Sequence, residues 1–505
     1  MYFITFLRNG ILTHLRGDVY KKIVNMPLAF FTEKKKGDVI SRITSDVLEI
    51  QHSFLSVLEL IVREPLTIFF TISAMFLISF KLTAFVLIFI PVSGFLISLI
   101  GRSLKATSTL VQNEQAEFLS ITEETLQGLK IIKGFVSELF FIEKFNNSNN
   151  KFYNYSNKLI NRQNLASPVS EFLGISVIGV LLWYGGQLVL IDQELNPAAF
   201  ITYMGLAYGV LTPAKAISKA SYSIKKGNAA AERVLEILDS KSSITEISNP
   251  ITKKSFDSEI TFENVSFKYE NASVLKNINF KIKKGQTIAI VGQSGSGKST
   301  IANLIPRFYD VLEGDVEIND TSVKKIKINS LRNRVGIVTQ HTFLFNNTLR
   351  ENISYSKPNA SLDEVIKYAK IADIHDFIDS LPEKYNTMVG EFGVSLSGGQ
   401  RQRLAIARNL IKDPDLLIFD DSFSALDTST DKKIREQLIP LQKSKACLII
   451  SQRISTISHC DEILVLNNGV IKDRGTHKDL IINSDIYKTI YQLQNPKKSS
   501  DLSIK

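Results

Sequence analysis

Two adjacent carboxylates, Asp420 and Asp421, end the apolar run "LLIFDD" at residues 416–421, a pattern that can hold a divalent cation and orient water beside a phosphate chain. A cradle for such phosphates stands upstream. "GQSGSGKST", residues 292–300, follows the apolar "TIAIV" and fits a phosphate-binding loop between a strand and a helix. Backbone N–H groups of Gly295 and Gly297 can approach phosphate oxygens, Lys298 neutralises the terminal phosphates, and Ser299 offers an oxygen to Mg2+. Gly292, Ser294 and Thr300 belong to the same loop, and Asp420 is the partner acid for the metal. Downstream, "VSLSGGQRQRLAIAR" at 394–408 places a Ser-Gly-Gly turn at a helix start, where free N–H groups and the helix dipole suit a second anion.

These loops need buried strands beneath them, and the second half of the chain supplies the pattern. "ITFENVSFKYE" and "VLKNINFKIKKGQTIAIVG" alternate apolar and polar residues at strand spacing, with Asn, Lys and Gly at the turns. The first half reads differently. "LTAFVLIFIPVSGFLISLIG" (82–101), "FLGISVIGVLLWYGGQLVLI" (172–191) and "LNPAAFITYMGLAYGVLTPA" (195–214) are uncharged and near the ~20 residues a membrane helix needs, and "PLTIFFTISAMFLISF" (65–80) is slightly shorter. Four spans are expected, continuing beyond the membrane as long helices joined by short crossing elements.

Charge orients them. The connections "ISFKLT" and "IDQELNP" are short and carry one Lys and two acids, whereas 15–42 and 102–162 are rich in Lys and Arg, which puts the long segments in the cytoplasm. The formal net charge of +10 fits the cytoplasmic loops of a membrane protein, an anionic-lipid surface or a nucleic-acid surface. A soluble ATPase that binds nucleic-acid phosphates would also be basic, but the four uncharged runs count against it, so no nucleic-acid partner is expected. Cys447 and Cys460 have no ligand spacing and read as buried reduced thiols. "MYFITFLRNGILTHL" lacks basic residues before its apolar run and reads as the cytoplasmic exit of a helix rather than a signal peptide. Trp183, Tyr184, Gln187, Tyr203 and Tyr208 could line a cavity or form an interfacial belt, and Arg63 with Glu64 could be a functional intramembrane pair but reads rather as a helix end outside the hydrocarbon.

Taken with Gln340 in "GIVTQHTFLFNNTLRENI", these motifs resemble the ATP-binding-cassette (ABC) exporters over nearly the whole chain, from "MPLAFFTEKKKGDVISRITSDV" through "LSGGQRQR", "SALD" and "DRGTH". The resemblance looks closest to the homodimeric lipid flippases and the heterodimeric multidrug exporters. It implies an all-α polytopic transmembrane domain (1–240), a linker (241–258), an α/β phosphate-loop (RecA-like) nucleotide-binding domain with an antiparallel β subdomain and a helical subdomain (259–493), and a disordered tail (494–505). It also implies ATP and Mg2+, a lipid bilayer, a small amphipathic or lipid substrate, and a second half-transporter. Two ATPs would be sandwiched, each between the phosphate loop of one chain and Ser397, Gly398, Gly399 and Gln400 of the other. Ser299, Gln340 and Asp420 would hold the metal, Asp427 would act across the interface, and Tyr269 matches the adenine-stacking aromatic, although it also reads as an ordinary strand aromatic. "PLAFFTEKKKG" and "IIKGFVSELFFIEKF" match elements that couple ATP closure to helix movement.

The chain departs from the family pattern in three places. Asp421 stands where a glutamate orients the attacking water, and Gln452 stands where a histidine touches the γ-phosphate. Both changes fall on one catalytic site. An aspartate reaches one C–C bond less far, so the expectation is a slow site in a heterodimer, with a homodimer as the alternative. The third departure is at the front, where the match covers the last four of the family's six helices.

Overall fold

The computed structural model describes residues 2–31, 33–257, 259–269, 272–390 and 396–494, with part of the helical half, including 89–106, described by backbone alone. Two compact units emerge. One comprises the chain up to Val24 together with Gly37–Ser240, and the other comprises Asn25–Lys36 together with the chain from Lys241 onward.

The first unit is helical. It contains α1 (Tyr2–Asn25), α2 (Glu33–Ser41), α3 (Val47–Leu58), α4 (Glu64–Ile78), α5 (Phe80–Gln127), α6 (Leu129–Gly134), α7 (Glu138–Leu190) and α8 (Pro197–Leu238). The π-helical turns Arg42–Asp46 and Glu59–Arg63 join α2, α3 and α4 into one run, which ends where Ser79 turns extended. With 48, 53 and 42 residues, α5, α7 and α8 are each on the order of 60–80 Å long, about twice a hydrocarbon core. The expected spans fall one on each of α4, α5, α7 and α8. Among the described residues, Leu60–Ile78 is long and apolar enough to cross a membrane, with mean hydropathy 1.7, and Ile175–Leu190 and Pro197–Val210 are shorter apolar lengths.

Packing follows the apolar faces. Helix α5 runs along α7, α8 runs along α3 and α4, and Met75, Leu82, Val86, Leu181, Leu188, Tyr203 and Val210 form a core. Tyr203 is therefore a core residue, whereas Trp183, Gln187 and Tyr208 are exposed. Glu64 is buried and Arg63 exposed, 3.5 Å apart, inside the Leu60–Ile78 stretch. Where the charged ends of α2 and α8 meet, Arg233 grips Asp46 with two bonds of 2.8 and 2.6 Å, and Arg42 bonds Glu236 at 2.7 Å and Asp38 at 2.8 Å.

The second unit holds two sheets. Strands β1 (Glu259–Tyr269), β2 (Ala272–Lys283), β4 (Glu313–Ile318) and β5 (Thr321–Ser322) form an antiparallel sheet in the order β2-β1-β4-β5. The other is ordered β10-β9-β3-β8-β7-β6, from β3 (Thr287–Val291), β6 (Val335–Val338), β7 (Leu416–Asp420), β8 (Ala446–Ile450), β9 (Glu462–Asn467) and β10 (Val470–Gly475). All pairs but β9 with β10 are parallel. Buried on both faces, β3 and β8 read as unbroken apolar runs, as parallel strands covered by helices do. The covering helices are α9 (Lys298–Leu304), α10 (Ile328–Arg334), a cluster of α11 (Leu349–Ser354), α12 (Leu362–Ile371) and α13 (His375–Asp379) beside α14 (Gly398–Leu410), then α15 (Thr428–Gln442), α16 (Ile454–Ile457), α17 (His477–Asn483) and α18 (Asp485–Gln494).

Two segments pack onto this unit in ways their composition does not announce. In the polar stretch 241–257, Ile251 pairs with Ile326 and Phe256 is buried in the sheet core. Leu28, Ala29 and Phe31, from the "PLAFFTEKKKG" segment, line a cavity of about 420 Å3 with Ile244, Phe267, Tyr269 and Tyr309.

Candidate nucleotide site

Parallel sheets bind ligands beyond the carboxyl ends of their strands. Four such ends converge here. The phosphate loop follows β3, Gln340 follows β6, Asp420 ends β7 with Asp421 next, and Gln452 follows β8. Tyr269, Ser294, Gly295, Gly297, Lys298, Ser299, Thr300, Gln340, Asp420, Asp421 and Gln452 line one cleft of about 360 Å3.

Within the loop, two glycines are demanded by geometry. Gly297 sits at φ +103 at the start of α9, and a Cβ on Gly292 would lie 2.0 Å from the Leu466 carbonyl oxygen. Lys298 is buried, and its Nζ donates to the carbonyls of Gly292 (2.9 Å) and Gln293 (2.6 Å). Burial pushes the Lys298 ammonium's pKa down, and the charges of Asp421 and Asp420 pull it back up. Ser299 Oγ donates to Asp420 at 2.9 Å, so the two expected metal oxygens already touch. One wall is aromatic. Tyr269 packs edge-on against Tyr309 at 5.1 Å and Phe267 at 4.8 Å, with its hydroxyl 3.4 Å from Thr300 Oγ1.

Asp421 is unusual in its backbone as well as its type. Its φ is +46, a left-handed conformation that Asp tolerates better than longer side chains. The position is pinned by its N–H, which donates to the Ile450 carbonyl at 2.8 Å. Its carboxylate accepts from Gln340 Nε2 at 3.3 Å. Burial raises the pKa of Asp421 and of Asp420; for Asp420 the Ser299 hydrogen bond opposes the rise and the Asp421 charge adds to it.

Ser397, Gly398, Gly399, Gln400 and Asp427 are not among the residues that line this cleft. Ser397 caps α14 in a capping box, its N–H donating to Gln400 Oε1 at 2.8 Å and its Oγ accepting the Gln400 N–H at 3.2 Å. Asp427 caps α15, and bonds from the Ser429 hydroxyl and the Thr430 N–H hold its carboxyl well below the usual range. Gly292 stays behind the cleft wall as a carbonyl acceptor for Lys298.

Three polar side chains that the motifs did not single out tie these loops together. Gln402, buried in α14, accepts from Thr342 at 2.9 Å and donates to the Thr339 carbonyl at 3.3 Å, binding the Gln340 loop to α14. Gln494 clasps the turn after β8, donating to the Gln452 carbonyl at 2.6 Å and accepting from the Ile454 N–H at 2.8 Å. Arg453 reaches from that turn to two carbonyls of the "SALD" turn. Only the position of Gln402 and Arg453 inside conspicuous motifs could have drawn attention to them, and Gln494 carries no local signal.

Known proteins carry the same plan. Residues 2–213 match the family described as the ABC transporter transmembrane region, and 275–424 match the ABC transporter family. The chain is similar to the ATP-dependent lipid A-core flippase of Syntrophus aciditrophicus, 35% identical over 491 residues that cover 97% of this chain and 82% of that protein. It is 34% identical to the flippase of the same description from Desulfotalea psychrophila, over 96% of this chain and 85% of that one. Its fold is similar to the solved structure of a bacterial Atm1-family ABC exporter with ATP bound, with TM-score 0.84, 27% identity, and coverage of 97% and 86% of the two chains. A helical membrane domain followed by an α/β ATPase domain makes this chain a half-transporter of the ABC exporter family, an integral membrane protein whose ATP hydrolysis is coupled to transport.

Proposed function

We propose that the chain is one half of a dimeric exporter that uses ATP to move a lipid across a bacterial inner membrane, with its nucleotide unit in the cytoplasm and its own ATP site slow. The observation that carries this is a single cleft in which an ordinary phosphate loop, Asp420 and Gln340 meet a shortened acid, Asp421, and Gln452 in place of histidine. The chain-long similarity to proteins named lipid A-core flippases supports the lipid.

Each residue has a task in that reading. Lys298 lies at the floor of the loop, where it can trade its two carbonyl bonds for β- and γ-phosphate oxygens. Ser299 and Asp420 in contact, with Gln340 on the same wall, are hard oxygen donors that fit Mg2+ completed by phosphate and water. Bound there, Mg2+ would neutralise charge on the β- and γ-phosphates. Tyr269 offers a ring face for adenine. Asp421 would accept a proton from the attacking water, but it starts one C–C bond short and is already engaged by Gln340. Ser397–Gln400, away from the chain's own cleft, would close over the ATP of a second chain. Closure would reach the helices through segment 25–36, which packs with the nucleotide unit.

Two substitutions in one site favour a partner chain that carries the missing glutamate and histidine. The likeness to lipid flippases favours a second reading, a dimer of identical chains with ordinary turnover. Purification in lipid nanodiscs, with phosphate release measured for the chain alone and for Asp421→Glu with Gln452→His, separates them. A slow chain that the double change accelerates at least tenfold supports the unequal pair. Ordinary turnover in the unchanged chain removes it in favour of the homodimer.

A further inference from the structure

We propose that Arg453 is a positioning residue that links the chain's own acid, Asp421, to the turn at 424–427 and through it to the start of α14. The inference rests on the two-chain sandwich proposed above. Arg453 Nη2 donates to the Ser424 carbonyl at 2.7 Å and Nη1 to the Leu426 carbonyl at 3.2 Å, while its main-chain N–H donates to Ser451 Oγ at 3.0 Å. One planar fork thus spans two carbonyls of a single turn. A lysine, as a single point donor, cannot reproduce that geometry.

Both ends of the turn lead to functional groups. At its root, the Asp421 carbonyl accepts the Ser424 N–H at 3.2 Å and the Ser424 hydroxyl at 2.7 Å. The Asp421 N–H in turn donates at 2.8 Å to the carbonyl of Ile450, three residues before Arg453. Asp421, the 450–453 segment and Ser424 therefore close a ring of bonds. At the crest, the Ala425 carbonyl stands 3.4 Å, and the Ala425 Cβ 4.0 Å, from where side chains on Gly399 and Gly398 would begin. The turn therefore lies beside the start of α14, and a shift toward that helix would bring the two into contact. Occupancy of the chain's own site is thereby passed to the surface that would hold the partner's nucleotide.

Arg453 is not needed to dock the helices around it. Arg435 does that, pairing with buried Asp431 through bonds of 3.0 and 3.1 Å and donating to the Ser455 carbonyl at 3.2 Å, which fastens α15 to α16. Arg453 is itself exposed. Its removal should loosen the 424–427 turn and leave the fold intact.

The test is hydrogen exchange on the full chain in lipid nanodiscs, with and without Mg-ATP, for the unchanged protein, Arg453→Gln and Arg453→Lys, alongside ATP turnover. The unchanged chain should gain protection at 292–300, 397–401 and 424–427 when ATP binds. Both variants should keep the gain at 292–300 and an ATP affinity within twofold, lose the gain at the other two segments, and hydrolyse ATP at least tenfold more slowly. Unaltered gains at 397–401 and 424–427 in Arg453→Gln would overturn the proposal, as would loss of protection at 292–300, which would mark a general structural role. If the unchanged chain shows protection at 292–300 alone, the sandwich fails and the inference falls with it.

Discussion

Replacing Asp421 by glutamate restores the reach that the phosphate loop, Ser299 and Asp420 are arranged to meet. The added C–C bond advances the carboxylate by about 1.5 Å, and a misplacement of about 1 Å in a reacting group costs on the order of a hundredfold in rate, or about 2.7 kcal/mol of barrier. Two features of the site work against full recovery. A glutamate at φ +46 costs about 1 kcal/mol, which appears in the melting temperature more than in turnover because the strain is common to ground and transition states. The longer chain also overshoots the Gln340 amide, and a lost hydrogen bond is worth about 1 kcal/mol. A ten- to hundredfold rise in kcat is therefore expected for Asp421→Glu, with the melting temperature a few degrees lower. Phosphate release at saturating Mg-ATP in nanodiscs reads it, with Asp421→Asn as the inactive reference. Turnover equal to or below that of the unchanged chain would refute the reasoning, because the aspartate would then be the base this site is built for.

Other consequences follow from the same geometry. Because burial raises the pKa of Asp421 and Asp420, the folded protein binds their protons more tightly than the unfolded chain, so the ionised pair costs stability at neutral pH. Asp421→Asn should thus raise the melting temperature of the nucleotide-free protein at pH 7.5, and the gain should shrink as pH falls through the raised pKa toward the ordinary carboxylate range near ~4. Tyr269→Ala should weaken ATP binding about five- to tenfold by titration, and Tyr269→Phe should not; a drop in melting temperature with unchanged affinity would make Tyr269 an ordinary strand aromatic. Arg233→Ala strands the buried Asp46 carboxylate and should cost on the order of 1–2 kcal/mol, with half the arginine already in water, whereas the further change Asp46→Asn should recover most of it in thermal unfolding.

Much of the site was legible because its chemistry is local. The phosphate loop, "LLIFDD" and the "LSGGQ" helix start each carry their mechanism within a few residues, and the capping box of Ser397 and Gln400 can be read from their spacing alone. The long uncharged runs marked the helices for the same reason. What stayed hidden depends on contacts distant in sequence. Gln494 meets the turn at 452–454 from forty residues away, and Arg453 meets the 424–427 turn across β8. Segment 25–36 looks like a loop of the membrane half, yet it clusters with the nucleotide unit, because membership is set by what Leu28 and Phe31 pack against. Tyr203 and Trp183 carry similar aromatic patterns and end up buried and exposed, since helix rotation, not residue type, decides which way each faces.

Transport of a lipid under ATP is the central claim, and reconstitution tests it most directly. The chain and its Asp421→Glu, Gln452→His form would be placed separately in proteoliposomes holding a headgroup-labelled lipid, and movement between leaflets followed with ATP, without it, and with Lys298→Ala. ATP-dependent movement should rise with the double change in step with phosphate release and vanish in Lys298→Ala. Brisk ATP hydrolysis by the double variant with no lipid movement above the ATP-free background would contradict it.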